Sequence, residues 1–92
     1  STAGSIAGAA NLLHESGVRE IHVAITHAVF CGQAVENLAG ANLASIVCTD
    51  TNPIGEDDAA RLPHLVPLTV APLLGEAIKR IHRNESISRL FR

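Results

Sequence analysis

Glu20-Ile21-His22-Val23-Ala24-Ile25-Thr26 is the stretch on which the fold turns. It is short, β-branched and mostly apolar, the composition of a buried strand. Upstream of it, Ile6, Ala9, Ala10, Leu12 and Leu13 recur at helical spacing, with Asn11, His14 and Glu15 on the other face. Gly17 then suits the position just past a helix end. Downstream, residues 27–32 read as a loop and 33–38 as a short helix ending near Gly40. Ser45-Ile46-Val47-Cys48-Thr49 is a second strand.

Farther out, residues 50–64 form a polar connection containing Pro53, Gly55 and Pro63. Residues 65–70 give a third strand, in which Pro67 points to an edge position or a bulge because it lacks the N–H that an interior ladder needs. Pro72 suits the first position of a helix. Leu73, Leu74, Ala77, Ile78 and Ile81 mark its apolar face, and Glu76 and Arg80 stand i,i+4 on the exposed one. Asn84 and Glu85 break that helix, and Ser86 can cap a last short turn over 86–91. The order helix, strand, helix, strand, strand, helix predicts an α/β layer with a mainly parallel sheet.

Length and composition bound what this layer can do. The chain has 92 residues, one small domain at most. It does not begin with Met, and its first five residues look like the middle of a loop, so the expectation is a segment whose upstream part is missing. Apolar residues are 47% and charged ones 17%, which fits a folded core. Aromatics are 2%, so stacking platforms for single-stranded nucleic acid are lacking. The net charge is −2 and basic residues cluster only at Lys79, Arg80 and Arg83, which argues further against a nucleic-acid partner. No apolar run approaches the roughly 20 residues that cross a bilayer, so no membrane role is expected. Cys31 and Cys48 form no CxxC pair, and with five scattered histidines they give no zinc spacing. The expected setting is cytoplasmic and reducing.

Several residues could carry chemistry. Ser1, Thr2, Ala3, Gly4 and Ser5 place three hydroxyls around two small residues directly before an apolar helix. Small residues let backbone N–H groups approach an oxyanion, and a helix start adds donors and partial positive charge. A plain N-cap uses the same residue types, so locally a phosphate cradle and a cap both fit. Ser86 and Ser88, near Arg89, pose the same choice between an anion site and a capped terminal turn. His27 follows a strand end, where it can face a ligand crevice or tie down a loop. Cys31 precedes a short helix that could lower its pKa, although a small half-buried thiol is the plainer reading. Glu56, Asp57 and Asp58 read as a solvated acidic loop rather than a metal site, since consecutive carboxylates do not converge without a fixed turn.

The stretches STAGSIAGAA (1–10), THAVFCGQAVENL (26–38), VCTDTNP (47–53), RLPHL (61–65), VAPLLGEAIKRIH (70–82) and ESISRLF (85–91) occur in one order over nearly the full length. On these residues the chain resembles type I phosphoribosyltransferase-like proteins and, within them, the C-terminal part of the ribose-phosphate pyrophosphokinase family. The resemblance implies that residues 1–92 are the C-terminal part of a phosphoribosyltransferase-like domain, with an N-terminal domain absent. It implies transfer of a diphosphoryl group from MgATP to the 1-hydroxyl of ribose 5-phosphate, a step of nucleotide biosynthesis. Ser1, Thr2, Ala3, Gly4 and Ser5 would hold the sugar's 5-phosphate. Ser86, Ser88 and Phe91 would match a regulatory site for phosphate and ADP at a subunit interface of a homo-oligomer. The catalytic basic residues, the ATP site and the Mg2+ ligands would lie upstream, leaving no catalytic residue and no metal ligand here. The loop departs from the family pattern where Ser1 replaces a frequent Asp, Ala3 a Gly and Ser5 a Thr. A non-catalytic regulatory homologue of the synthetase is the alternative, to be separated by residues upstream of Ser1.

Overall fold

The computed structural model describes residues 2–91. Its elements are α1 (Gly4–Glu15), β1 (His22–Ile25), α2 (Ala34–Gly40), β2 (Ser45–Thr49), α3 (Glu56–Arg61), β3 (Leu65–Leu68), α4 (Ala71–His82) and a terminal 3-10 turn (Ser88–Phe91). The three strands form a parallel sheet in the order β1-β2-β3. Each parallel pair needs a crossover, and α2 and α3 supply them. The predicted α/β layer with a parallel sheet is the one found.

Register decides which strand residues meet the helices. Val23, Ile46 and Leu65 stand in one row across the sheet, and Ile25, Cys48 and Pro67 in the next. Strand side chains alternate faces, so these rows share one side. That side packs on Ala10 of α1, on Val35 and Leu38 of α2, and on Leu62 after α3. Leu38 and Ile46 have no accessible surface, and they centre an aliphatic core. The opposite side carries Ala24, Val47, Val66 and Leu68, and Val66 and Leu68 remain exposed. β3 is an edge strand of this sheet, as Pro67 requires.

Helix ends follow their local chemistry. After α1, Gly17 has φ 91°, its N–H donates to the His14 carbonyl, and the Val18 N–H donates to that of Leu13. These are the two bonds of a Schellman cap, which a left-handed residue makes possible. Asn84 does the same for α4 at φ 56°, with Asn84 N–H to Ile81 and Glu85 N–H to Arg80. Pro72 is the second rather than the first residue of α4, where its missing N–H still costs no helical bond.

Two differences from the sequence reading stand out. The connection at 50–64 contains α3, whose first turn is Glu56, Asp57 and Asp58. Acidic side chains there oppose the positive end of the helix dipole. The second difference is α4. Its apolar residues match the predicted face, yet Leu74, Ile78 and Ile81 are 56, 68 and 63% exposed and α4 packs substantially on no other element. The radius of gyration is 16.5 Å, where a compact chain of this length would have about 12 Å.

Candidate functional site

The start of α1 is built from backbone rather than from a side-chain cap. Ala3 occupies the N-cap position with φ 62° and ψ 18°, and among the described residues no side chain caps the helix. The Ala7 N–H closes the first turn onto the Ala3 carbonyl. The N–H groups of Gly4, Ser5 and Ile6 precede the first intrahelical bond and are left to point out of the helix. A left-handed residue followed by helical ones bends consecutive N–H groups into a concave nest, a shape that suits an anion. Among the described residues the N-cap position is thus held by Ala3 and not by a Ser or Thr side chain. Thr2, Ala3, Gly4 and Ser5 lie at this end, and Ser1 lies outside the described residues.

Neighbouring loops hold this end in place. Asn37 of α2 donates from Nδ2 to the Thr2 carbonyl at 2.7 Å. Gly32, at φ 58°, brings its backbone under Thr2, so that a Cβ there would stand 3.7 Å from the Thr2 methyl. A Cβ on Gly4 would stand 3.6 Å from the Thr2 hydroxyl. A cavity of about 160 Å³ opens beside the loop, lined by Ala3, Ile6, His27, Val29 and Phe30 among others.

The C-terminal strand ends, where open α/β sheets bind ligands, carry a polar cluster. His27 Nδ1 lies 2.6 Å from Thr51 Oγ1, and Thr51 Oγ1 lies 2.8 Å from Thr49 Oγ1. Both threonine hydroxyls donate to the Thr26 carbonyl. His27 thus ties the loop after β1 to the loop after β2, the plainer of its two sequence readings. Asp50, between those threonines, accepts the Val70 N–H at 2.8 Å. That bond, followed by one from the Thr69 side chain, holds its carboxyl below the usual range. Cys31 is exposed, whereas Cys48 is buried and burial pushes its thiol up, which leaves it inert as a nucleophile. A larger cleft of about 300 Å³ lies at the β2–β3 side, lined by Asp50, Asn52, Ile54, Leu62 and Pro63 among others, and does not include the α1 loop.

The second hydroxyl pair is at the far end of the chain. Ser86 Oγ accepts the Ser88 N–H at 3.2 Å and lies 2.8 Å from Ser88 Oγ. Arg80 donates from its guanidinium to the Ser86 carbonyl at 3.2 Å and from Nε to Glu76 at 3.0 Å. Arg80, Glu85, Ser86 and Arg89 line a pocket of about 290 Å³, and Phe91 is exposed nearby in sequence. Here the cap forms, and two guanidinium groups stand beside it. Asn37, Asp50 and Thr51 are positioning groups that sequence reasoning passed over, because their partners are 20 or more residues away.

No helix of the described residues is long and apolar enough to cross a membrane. Among the described residues no three His, Cys, Asp or Glu side chains converge where a metal could bind.

Comparison with known proteins gives a consistent result. The chain is 60% identical to a ribose-phosphate pyrophosphokinase of Rhodopirellula baltica over 92 residues, which are all of this chain and 28% of that protein. It is 50% identical to the Nostoc sp. ribose-phosphate pyrophosphokinase over 91 residues, 99% of this chain and 27% of that one. The crystal structure of phosphoribosylpyrophosphate synthetase from Mycobacterium smegmatis superposes with a TM-score of 0.84 at 41% identity, covering 90% of this chain and 27% of that one. The chain therefore spans little more than a quarter of the relatives that it matches. The model of the phosphoribosyl synthetase-associated domain family matches residues 2–92, and the chain belongs to that family.

Proposed function

We propose that residues 1–92 are the C-terminal part of a type I phosphoribosyltransferase-like domain in a cytoplasmic ribose-phosphate pyrophosphokinase, and that the α1 loop holds ribose 5-phosphate. The full-length enzyme would transfer diphosphate from MgATP to the sugar's 1-hydroxyl. The observation that carries this reading is the backbone nest at Ala3 to Ile6, which no side chain of the described residues caps. The N–H groups there bind the 5-phosphate, and the Thr2 and Ser5 hydroxyls, with Ser1, donate further hydrogen bonds. Held in this way, the sugar presents its anomeric hydroxyl for in-line attack, and the contribution is one of positioning. ATP binds through the absent N-terminal domain. On this reading Mg2+ enters with ATP, and no step in this segment runs through it.

Ser86, Ser88 and Phe91 belong to a regulatory site for phosphate or ADP. The flanking guanidinium groups of Arg80 and Arg89 support this, since arginine is well matched to phosphate oxygens. The exposed apolar stripe of α4 supports assembly of the full chain into a homo-oligomer, because isolated surfaces of this kind are seldom left in water.

The test is Gly4→Val in the full-length protein. A Cβ there would already touch the Thr2 hydroxyl at 3.6 Å, and the two γ-methyls of valine extend beyond that contact. The KM for ribose 5-phosphate should rise at least about tenfold, the loss expected for a charge-assisted hydrogen bond, while the KM for ATP stays within about twofold on the same scale. Equal losses for both substrates would remove the loop from its assigned role. The 92-residue chain alone should make no phosphoribosyl diphosphate.

A further inference from the structure

α4 makes no substantial contact with the sheet among the described residues, so something other than its apolar face must set its direction. Among the described residues the bonds at its root centre on Asp50. The Asp50 N–H donates to the Leu68 carbonyl at 2.9 Å, and Asp50 Oδ1 accepts the Val70 N–H at 2.8 Å. Val70 is the N-cap residue of α4, and its own carbonyl accepts the Leu74 N–H at 3.0 Å. Thr69 Oγ1 accepts the Ala71 N–H at 3.1 Å. A carboxylate from the end of β2 thus satisfies a backbone donor at the root of α4, from 20 residues away in the chain. Its negative charge also suits the positive end of that helix.

The residues on either side of Asp50 face the other way in function. Thr49 and Thr51 bond the end of β1, through Thr26 and His27. Three consecutive residues therefore join the crevice end of the sheet to the helix that carries Arg80 and leads to Ser86 and Arg89.

We propose that Asp50 is a positioning residue that fixes the direction of α4 relative to the sheet, and with it the terminal pocket of Arg80, Ser86 and Arg89. The role needs an acceptor oxygen, which an amide also supplies. Asp50→Asn should therefore keep it and Asp50→Ala should lose it. The junction stands on its own geometry, and only its consequence for the pocket rests on the phosphate site proposed above.

The experiment uses the full-length protein and two readouts. Hydrogen exchange by mass spectrometry should show the first turn of α4, residues 70–75, exchanging about fivefold or more faster in Asp50→Ala, the effect of losing one ordinary hydrogen bond. Segments covering β1 and α2 should be unchanged, and Asp50→Asn should match the parent. Calorimetric titration with inorganic phosphate should give a Kd about fivefold or more weaker in Asp50→Ala and within about twofold in Asp50→Asn. Unchanged exchange at 70–75 in Asp50→Ala overturns the proposal, as does a uniform acceleration that includes β1 and α2, which would mark a general loss of stability. Local acceleration with phosphate affinity intact overturns the link to the pocket. If the parent protein binds no phosphate, the regulatory reading fails, and the exchange result alone decides for or against the junction.

Discussion

α2 and α4 both carry apolar side chains, and the structure treats them in opposite ways. Leu38 of α2 is wholly buried against Ile46 and Leu62, whereas Ile78 of α4 is 68% exposed. An apolar stripe states that a helix has a partner surface, and it carries no information on where that surface is. For α2 the partner surface is the core cluster of Ala10, Ile46 and Leu62. For α4 no other element among the described residues supplies a substantial one. Burying side chains such as Leu74, Ile78 and Ile81 would be worth roughly 1.5–3 kcal/mol each. A helix that forgoes this is stabilised by its own backbone, its Asn84 cap, the Glu76–Arg80 pair and the Asp50 junction.

The contrast can be broken most sharply by cutting one side chain from each helix. In the 92-residue chain, Leu38→Ala should destabilise by about 2–5 kcal/mol, the cost of a cavity in a packed core. Ile78→Ala should stay within about 0.5 kcal/mol, as for exposed positions generally. Urea unfolding of both variants measures the difference. Similar losses would mean that α4 packs on the sheet in solution. In the full-length protein, Ile78→Ala should instead weaken assembly, read as a shift towards smaller species in analytical ultracentrifugation.

A smaller change sharpens the picture at α1. Ala3 holds φ 62°, a conformation that costs an L-residue roughly 1–2 kcal/mol. Glycine adopts it freely but gives the unfolded chain more freedom, so Ala3→Gly should stabilise by only about 0.5–1 kcal/mol. A thermal midpoint that falls on this substitution would show that Ala3 leaves the left-handed region in solution, and the nest with it.

Much of this architecture was legible because its signals are local. Gly17 and Asn84 announce helix ends, Ser45–Thr49 has the alternation and branching of a strand, and Pro67 announces an edge. α3 was not legible, because one buried residue, Leu62, gives no period to detect, and its proline neighbours read as loop. The site was half legible. The hydroxyls and small residues of the α1 loop fit both a cap and a cradle, and they give no sign of the left-handed conformation of Ala3, a residue that seldom adopts it. Asn37, Thr51 and Asp50 act on residues brought near only by the packing of α1 on α2 and by the strand register, which no short window contains.

Acid separates the two regions in a further way. Asp50 is held low chiefly by the Val70 N–H, and Glu76 chiefly by Arg80. A carboxyl whose folded pKa lies below its unfolded value, near 4 for Asp and slightly above for Glu, contributes stability that is complete above that unfolded value. The contribution disappears as pH falls through the lower, folded pKa. Both carboxylates serve α4, one at its root and one along its length. The described core holds no buried polar or charged side chain, so its central packing carries no matching dependence. As pH falls below about 4, where those unfolded values lie, the amide resonances of α4 should lose their native positions before those of β1 and β2. Asp50→Asn should remove the part of this effect at residues 70–74 and leave the part at Glu76. A single transition that takes strands and α4 together would mean that helix and sheet form one cooperative unit, and that the exposed stripe of α4 has found a surface on the chain itself.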